Sequence, residues 1–160
     1  MNRFRKLRNV VIVAGLAALM AGGCAAGQSG SRVGTGDVVA DRQRLMKLNG
    51  ASWADVQAKM KTGNVEAIAV NAETMALNAM HIPTLFPSGS LTDKSKAKPE
   101  VWQKWSEFEA TAKNMASWSE RLRDTARTKD AGATEAIVKE FGAKACGACH
   151  TPFRVPPPRT

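Results

Sequence analysis

The residues best suited to do chemistry lie near the C-terminus, where Cys146 to His150 read Cys-Gly-Ala-Cys-His. A Cys-x-x-Cys-His run is the attachment signature of a c-type haem. On a helix, residues three apart lie on one face, so both sulfurs can form thioethers with one porphyrin. The adjacent His150 is then placed under the ring, where an imidazole nitrogen can ligate iron. The motif predicts one covalent haem c, held by Cys146 and Cys149 and ligated by His150.

Two other uses of the motif fit the sequence less well. A closed structural zinc site needs four ligands, whereas the motif supplies three. The only other histidine is His81, and there is no second Cys-x-x-Cys pair. A thioredoxin-like dithiol would need an α/β pattern around it, and the sequence lacks one. Haem attachment is therefore the interpretation adopted.

The N-terminus has the pattern of an export signal. Four basic residues within the first eight precede an apolar stretch from Val10 to Ala21. A dozen apolar residues are too few to span a membrane and are typical of a secretory signal. Bacterial c-type haem is attached on the exported side, which agrees with this signal. We therefore expect residues 1–26 to be a signal peptide and the protein to be periplasmic.

The processing of this signal leaves two alternatives. Ala21 to Cys24 resembles a bacterial lipoprotein box, in which Cys24 would be lipidated and tether the protein to a membrane. Ordinary cleavage near Ala25 or Ala26 would instead discard Cys24 and leave the protein soluble. In either case residues 27–36, rich in glycine and serine, predict a flexible tether.

The charge is modest once the signal is removed. The whole chain carries a net charge of +9. Loss of residues 1–26 removes four of the 23 basic residues and none of the 14 acidic ones, which leaves +5. Two haem propionates would bring the charge to about +3. No basic run is interleaved with aromatic residues, so we expect no nucleic-acid binding. This surplus of positive charge has two interpretations. The basic residues form a solvated surface, or they dock an acidic redox partner protein.

The rest of the chain reads as helix, because apolar residues recur with a period of 3.6 and do not alternate. Asn64 and Asp130 are suited to N-caps, Gly63 to a left-handed C-terminal cap, and Pro99 to a first helical turn. The pattern predicts helices at about 37–60, 64–80, 99–127 and 131–150, a crossover at 81–98 and a Pro-rich tail at 155–160. Two short links and one long crossover favour an all-α, antiparallel four-helix bundle with the haem in its core.

Four segments match the motifs of a known family in their order along the chain. They are the Arg-Gln segment in Asp41–Lys47, the Phe-Pro crossover in Leu85–Ser90, the Pro-Glu-x-Trp start at Pro99–Trp102, and Cys146–Arg154. This set resembles the cytochrome c′ family over residues 37–154. Phe153 stands where the family usually has Tyr. Pro152 is also unusual there and argues against a regular last helical turn.

The resemblance implies roles for several residues. His150 would be the proximal iron ligand, and Arg154 would lie near the proximal face. Arg42 and Gln43 would approach the haem propionates from the first helix. Met46 would lie at the distal position, on the face of the iron opposite His150. The resemblance also implies a homodimer through the first two helices.

The function depends on Met46, for which two alternatives stay open. Ligation of the iron by Met46 would give a low-spin electron carrier, because a soft thioether favours ferrous iron. If Met46 only packs over the ring, the iron is five-coordinate and binds NO or CO. We expect electron transfer through His150–Fe–Met46. No distal acid–base group can be placed, so we do not expect an enzyme. We expect His81 to be an exposed or hydrogen-bonded surface residue.

Overall fold

The computed structural model describes residues 34–157 of the chain. The expected signal peptide, Cys24 and residues 27–33 of the expected tether lie outside this range. Residues 158–160 of the expected Pro-rich tail also lie outside it. Within the described range, no helix combines the length and the apolar character that a membrane span requires.

The described residues are predominantly helical. In chain order the elements are α1 (Val38–Lys61), α2 (Ile68–His81), a 3₁₀ turn (Pro83–Leu85), α3 (Glu100–Gln103), α4 (Trp105–Arg127), α5 (Ala131–Phe141), a π-helical segment (Gly142–Gly147) and α6 (Ala148–Phe153). Together α3 and α4 make the third helix of the bundle, and α5, the π-helical segment and α6 make the fourth. The predicted all-α, antiparallel four-helix bundle is confirmed.

The core lies between α2 and α4, which pack against each other along their lengths, while α1 packs against α2. The apolar residues that recur at helical spacing along the second predicted helix are all buried: Val65, Ile68, Ala69, Ala72, Met75, Ala76 and Ala79. Phe108, Ala112, Met115 and Leu122 of α4 are buried with them. The small alanine side chains of α2 let the two helices approach closely.

Both ends of α1 are closed by local hydrogen bonds. At its start, the Asp37 carboxylate accepts hydrogen bonds from the backbone N–H groups of Val39 (2.8 Å) and Ala40 (3.2 Å). At its end, Gly63 has φ +72°. The Gly63 N–H donates to the Met60 carbonyl, and the next N–H donates to the Lys59 carbonyl. This pair of bonds is a Schellman motif, so the predicted left-handed cap at Gly63 is confirmed.

The predicted start of the second helix at Asn64 is wrong, because α2 begins at Ile68. The Asn64 N–H already donates to Lys59 in the cap of α1, at 2.9 Å. The chain then turns through bonds from Val65 to Gly63 and from Ile68 to Val65 before the helix forms. Asn64, which was expected to cap the start of the second helix, thus belongs to the C-terminal cap of α1.

The third helix is interrupted at Lys104, which has φ −122° and ψ 48°. Hydrogen bonds from Lys104 N–H to the Glu100 carbonyl and from Phe108 N–H to the Lys104 carbonyl connect its two pieces. Pro99 directly precedes α3, close to its predicted place. The interruption was not predicted, since the apolar period continues through it.

The fourth helix runs further than the predicted end at about His150. Asp130 caps it as predicted, with its carboxylate accepting from the Ala133 N–H at 2.9 Å. The helix continues through Pro152 to Phe153. The Arg154 N–H donates to the His150 carbonyl, so the last turn closes although Pro152 has no N–H. The expected disruption by Pro152 is therefore wrong.

A short antiparallel contact ties the crossover to the C-terminal segment. The Lys98 N–H donates to the Phe153 carbonyl, and the Val155 N–H donates to the Lys96 carbonyl, both at 2.9 Å. Ala97 and Arg154 face each other in this bridge. We call residues 96–98 and 153–155 the strap. It fixes the crossover beside the end of α6.

Candidate haem site

A cavity of about 420 Å³ opens at one end of the bundle. Its walls come from the first half of α1, the start and end of the crossover, α3, the first turn of α4, and α6. Its volume lies within the roughly 300–1,000 Å³ typical of cofactor sites. Elements distant in sequence therefore meet around one space.

Six of the seven predicted site residues line this cavity: Arg42, Gln43, Met46, Cys149, His150 and Arg154. The seventh, Cys146, does not line it. Cys146 is half-buried in the π-helical segment and packs against the edge of the core. The Cys-x-x-Cys-His motif thus begins in the π-helical segment and ends in α6. Such π-helical insertions are frequent at functional sites.

The π-helical segment is anchored from the third helix. The Asn114 side-chain amide, on α4, donates to the Lys144 carbonyl at 2.6 Å. This bond gives the Lys144 carbonyl a hydrogen-bond donor where the backbone hydrogen bonds of the fourth helix change from α-helical to π-helical spacing. Asn114 was missed by the sequence reasoning, because a polar residue on a helix surface gives no signal of such a contact.

Both thiols of the motif are held in their protonated form. Burial raises the pKa of Cys146, and the nearby Cys149 raises it further. Burial also raises the pKa of Cys149, against a smaller lowering by a hydrogen bond from the Thr111 side chain.

The surroundings of His150 favour the neutral form of its imidazole. Burial lowers the pKa of His150, and the positive charge of Arg154 lowers it further. Neutral imidazole is the form that ligates a metal. The environment of His150 therefore suits the predicted ligand role.

Met46 and Arg42 lie one turn apart on α1 and project from the same face into the cavity. Met46 is half-buried and packs against the core. His150 reaches the same cavity from α6. The structure thus brings the two predicted axial residues to one space from different helices.

Arg42 is a charged side chain that is only 5% exposed. Its Nη2 donates to the Ser90 carbonyl at 2.6 Å, and its Nε donates to the Val38 carbonyl at 3.2 Å. The guanidinium carbon lies 4.5 Å from the centre of the Phe86 ring. Burial lowers the pKa of Arg42, while Asp37 opposes this shift. The buried Nη1 has no hydrogen-bond partner in the described structure, so it can donate to an anionic group in the cavity.

Three phenylalanines form an apolar wall of the cavity. The ring centroid of Phe108 lies 4.8 Å from that of Phe86 and 5.5 Å from that of Phe153. Phe108 belongs to an aromatic stripe, with Trp102, Trp105 and Trp118, for which the sequence favours core packing and leaves haem stacking as the alternative. Phe153 was noted only as a departure from Tyr. The sequence reasoning did not identify Phe86 or Phe153 as lining residues. Phe86 and Phe153 lie within two of the recognised motifs, and Phe108 lies six residues after a third, which ends at Trp102.

Two cations at the cavity, Lys47 and Lys96, were also missed. Lys47 follows Met46 directly, but a lysine on a helix surface is usually solvated. His81 lies outside the cavity walls, is exposed and has its Nδ1 3.0 Å from the Thr84 hydroxyl oxygen. The expected surface role of His81 is confirmed.

These residues fit a haem. The cavity offers an aromatic wall for the ring, an unpartnered guanidinium for a propionate, a neutral imidazole, and a protonated thiol with a second thiol beside it. A four-helix bundle with this site at one end defines a class, the bundle-type c-type cytochromes.

The sequence model of the family described as cytochrome C′ matches residues 37–154. The chain belongs to this family, and its cofactor is a covalently bound haem c.

Several known proteins that are similar to this chain are cytochromes. Cytochrome c-556 of Agrobacterium tumefaciens (strain II Chrys) is 31% identical over 120 residues, covering 73% of this chain and 96% of that protein. A cytochrome c′ described with a ligand-controlled dimer dissociation has a TM-score of 0.67 at 23% identity, with coverage of 74% and 95%. The nitric oxide complex of a variant cytochrome c′ from Alcaligenes xylosoxidans has a TM-score of 0.66 at 22% identity, with coverage of 76% and 96%. The two structures share the fold of this chain.

Proposed function

We propose that this protein is an exported monohaem electron carrier in which His150 and Met46 are the axial ligands. The observation that carries the proposal is the entry of both side chains into one cavity, from α6 and α1. The bound haem supplies an iron that changes between its ferrous and ferric states.

The surroundings of the cavity support this role. Phe86, Phe108 and Phe153 are all buried, so the wall that they form excludes water. An apolar surrounding favours the ferrous state because that state carries less charge, and a thioether favours it because it is a soft ligand. Packing within the bundle holds α1 and α6 in fixed positions. This limits how far the surroundings of the iron rearrange when its charge changes.

The alternative is a five-coordinate haem that binds NO or CO, with Met46 only packing over the distal face. The structural neighbour from Alcaligenes xylosoxidans, a cytochrome c′ variant with bound nitric oxide, favours this candidate. Met46 is partly exposed, so a flexible thioether could move aside for a diatomic ligand.

Absorption spectra separate the two candidates. For the ligated form we expect low-spin spectra in both oxidation states and no change on adding CO. The Met46→Ala variant should become high-spin and bind CO, because the sixth ligand is lost. Met80→Ala is the matched control, since Met80 is 60% exposed on α2 and does not line the cavity. A wild-type spectrum that is high-spin and shifts with CO would overturn the proposal in favour of gas binding.

We also propose that the protein acts in the periplasm and forms a homodimer through α1 and α2. Four of the six exposed large apolar residues of the described structure lie on these two helices: Leu48, Val70, Leu77 and Met80. Val70 and Leu77 are seven residues apart and share a face of α2. Such a stripe is typical of a helix that packs against a partner.

A further inference from the structure

We propose that five cations at the mouth of the haem cavity form the docking surface for an acidic face of a redox partner protein. They are Lys47, Lys94, Lys96, Lys98 and Arg154, and we call them the basic rim. This inference rests on the proposed electron transfer. It adds where the partner binds and what chemistry recognises it.

The basic rim is placed by direct contacts at the cavity. Lys47, Lys96 and Arg154 line the cavity itself. The Lys94 carbonyl accepts a hydrogen bond from the side chain of Gln43, another lining residue, at 3.2 Å. The Lys98 ammonium donates to the Thr151 carbonyl, one residue after His150, at 3.2 Å.

None of the basic-rim cations forms an ion pair with a carboxylate of the described residues. The cations that do are elsewhere: Arg44, Lys59, Lys104, Arg123, Arg127, Lys129 and Lys139. Asp93 lies within the crossover and Glu100 shortly after it, yet neither forms an ion pair with a rim cation. Four of the five rim cations, Lys47, Lys94, Lys96 and Arg154, are also exposed, so their charges face solvent without an anionic partner among the described residues. A positive potential is therefore concentrated at this end of the bundle.

The strap holds part of the basic rim in place before a partner arrives. Its two backbone hydrogen bonds of 2.9 Å fix Lys96 and Lys98 against the segment that carries Arg154. Ordering flexible segments on association costs free energy, so a fixed backbone lowers this cost. Cations from α1, the crossover and the C-terminal segment are thereby presented together.

The partner must be a redox protein because of what has to be transferred. One electron passes between the haem iron and the partner's redox centre, so that one centre is oxidised as the other is reduced. No atoms change place. The basic rim at the cavity mouth orients an acidic face of the partner toward the haem. An anionic lipid surface would match the charge but carries no centre to accept the electron.

The test is the rate of electron transfer from the reduced holoprotein to oxidised plant plastocyanin, an acidic copper protein, by stopped-flow mixing. We expect Lys96→Glu to lower the second-order rate constant roughly three- to tenfold at low ionic strength. Raising the ionic strength to about 0.5 M should remove the difference, because screening then acts within a few ångströms.

Lys61→Glu is the matched control. Lys61 is exposed, forms no ion pair in the described structure and lies at the far end of α1. Its distance from Lys47 is about 21 Å along the axis, from 14 residues at 1.5 Å each. The net charge changes equally, so we expect less than about a twofold effect from Lys61→Glu.

Three results would overturn the proposal. The first is an equal slowing by both variants, which would reflect net charge alone. The second is no slowing by Lys96→Glu. The third is binding to phosphatidylglycerol–phosphatidylcholine vesicles near physiological salt that Lys96→Glu abolishes, which would assign the basic rim to a membrane surface. The proposed function fails separately, on a high-spin spectrum that shifts with CO, whatever the kinetics show.

Discussion

At the scale of single residues, Arg42 is a charged side chain that is buried in the described structure. A buried cation normally has a carboxylate partner, because its desolvation is costly. Here the guanidinium lies over Phe86 and donates to the Ser90 carbonyl. These contacts hold a positive charge at the cavity wall. The resemblance to the family gave the position of Arg42, but its packing follows only from the fold.

We expect Arg42→Met to lower the free energy of unfolding of the holoprotein by about 1–3 kcal/mol. The Ser90 carbonyl would lose a charged donor, and Phe86 would lose the cation over its ring. Denaturant unfolding followed by circular dichroism measures the change. Gln43→Met is the control, because Gln43 is exposed and makes one 3.2 Å side-chain hydrogen bond. Equal stability of Arg42→Met and the parent would show that the burial of this charge cancels its contacts.

Most of the site residues could be predicted because they belong to short sequence motifs. The haem motif and the Arg-Gln segment each name residues at fixed spacing, and six of the seven lie at one cavity. Lys96 could not be found in this way. Its role depends on the strap, which joins residues more than fifty positions apart, and no local pattern encodes that contact.

At the scale of helices, Gly50 within α1 and Gly63 in the C-terminal cap of α1 predict opposite effects. Gly63 has φ +72°, whereas Gly50 lies within the helix, and an added Cβ would contact nothing within 4 Å at either position. We expect Gly63→Ala to destabilise the protein by about 1 kcal/mol, because a Cβ disfavours left-handed backbone. Gly50→Ala should stabilise it by about 0.5–1 kcal/mol.

Urea unfolding midpoints of the two variants measure this contrast, with each glycine variant serving as the control for the other. Stabilisation by Gly63→Ala would show that the Schellman cap of α1 does not form in solution.

Helix interiors were predictable and their junctions were not. The buried stripe of the second helix follows from periodicity alone, since its members recur at helical spacing. The start of α2 was misplaced because Asn64 could cap either helix, and the bond to Lys59 decides between them. The π-helical segment depends on Asn114 of another helix. Periodicity cannot reveal a contact of that kind.

At the scale of the whole molecule, the exposed stripe on α2 predicts the oligomeric state. We expect sedimentation velocity to show a dimer of the wild-type holoprotein at micromolar concentration and a monomer for Leu77→Glu. A buried charge without a partner would oppose association. Leu91→Glu is the control, because Leu91 is 42% exposed and lies in the crossover. A monomeric wild type, or dissociation by Leu91→Glu, would contradict an interface on α1 and α2.

The strap also sets an order of events during biogenesis. The walls of the cavity that come from α1, the crossover and α4 all precede Cys146 in the chain. A chain made from its N-terminus therefore has these walls available before the haem motif emerges. The strap needs residues 153–155 and is among the last contacts that can form. The last residues of the crossover, 96–98, consequently lack their strap hydrogen bonds until the thiols that receive the haem have been made.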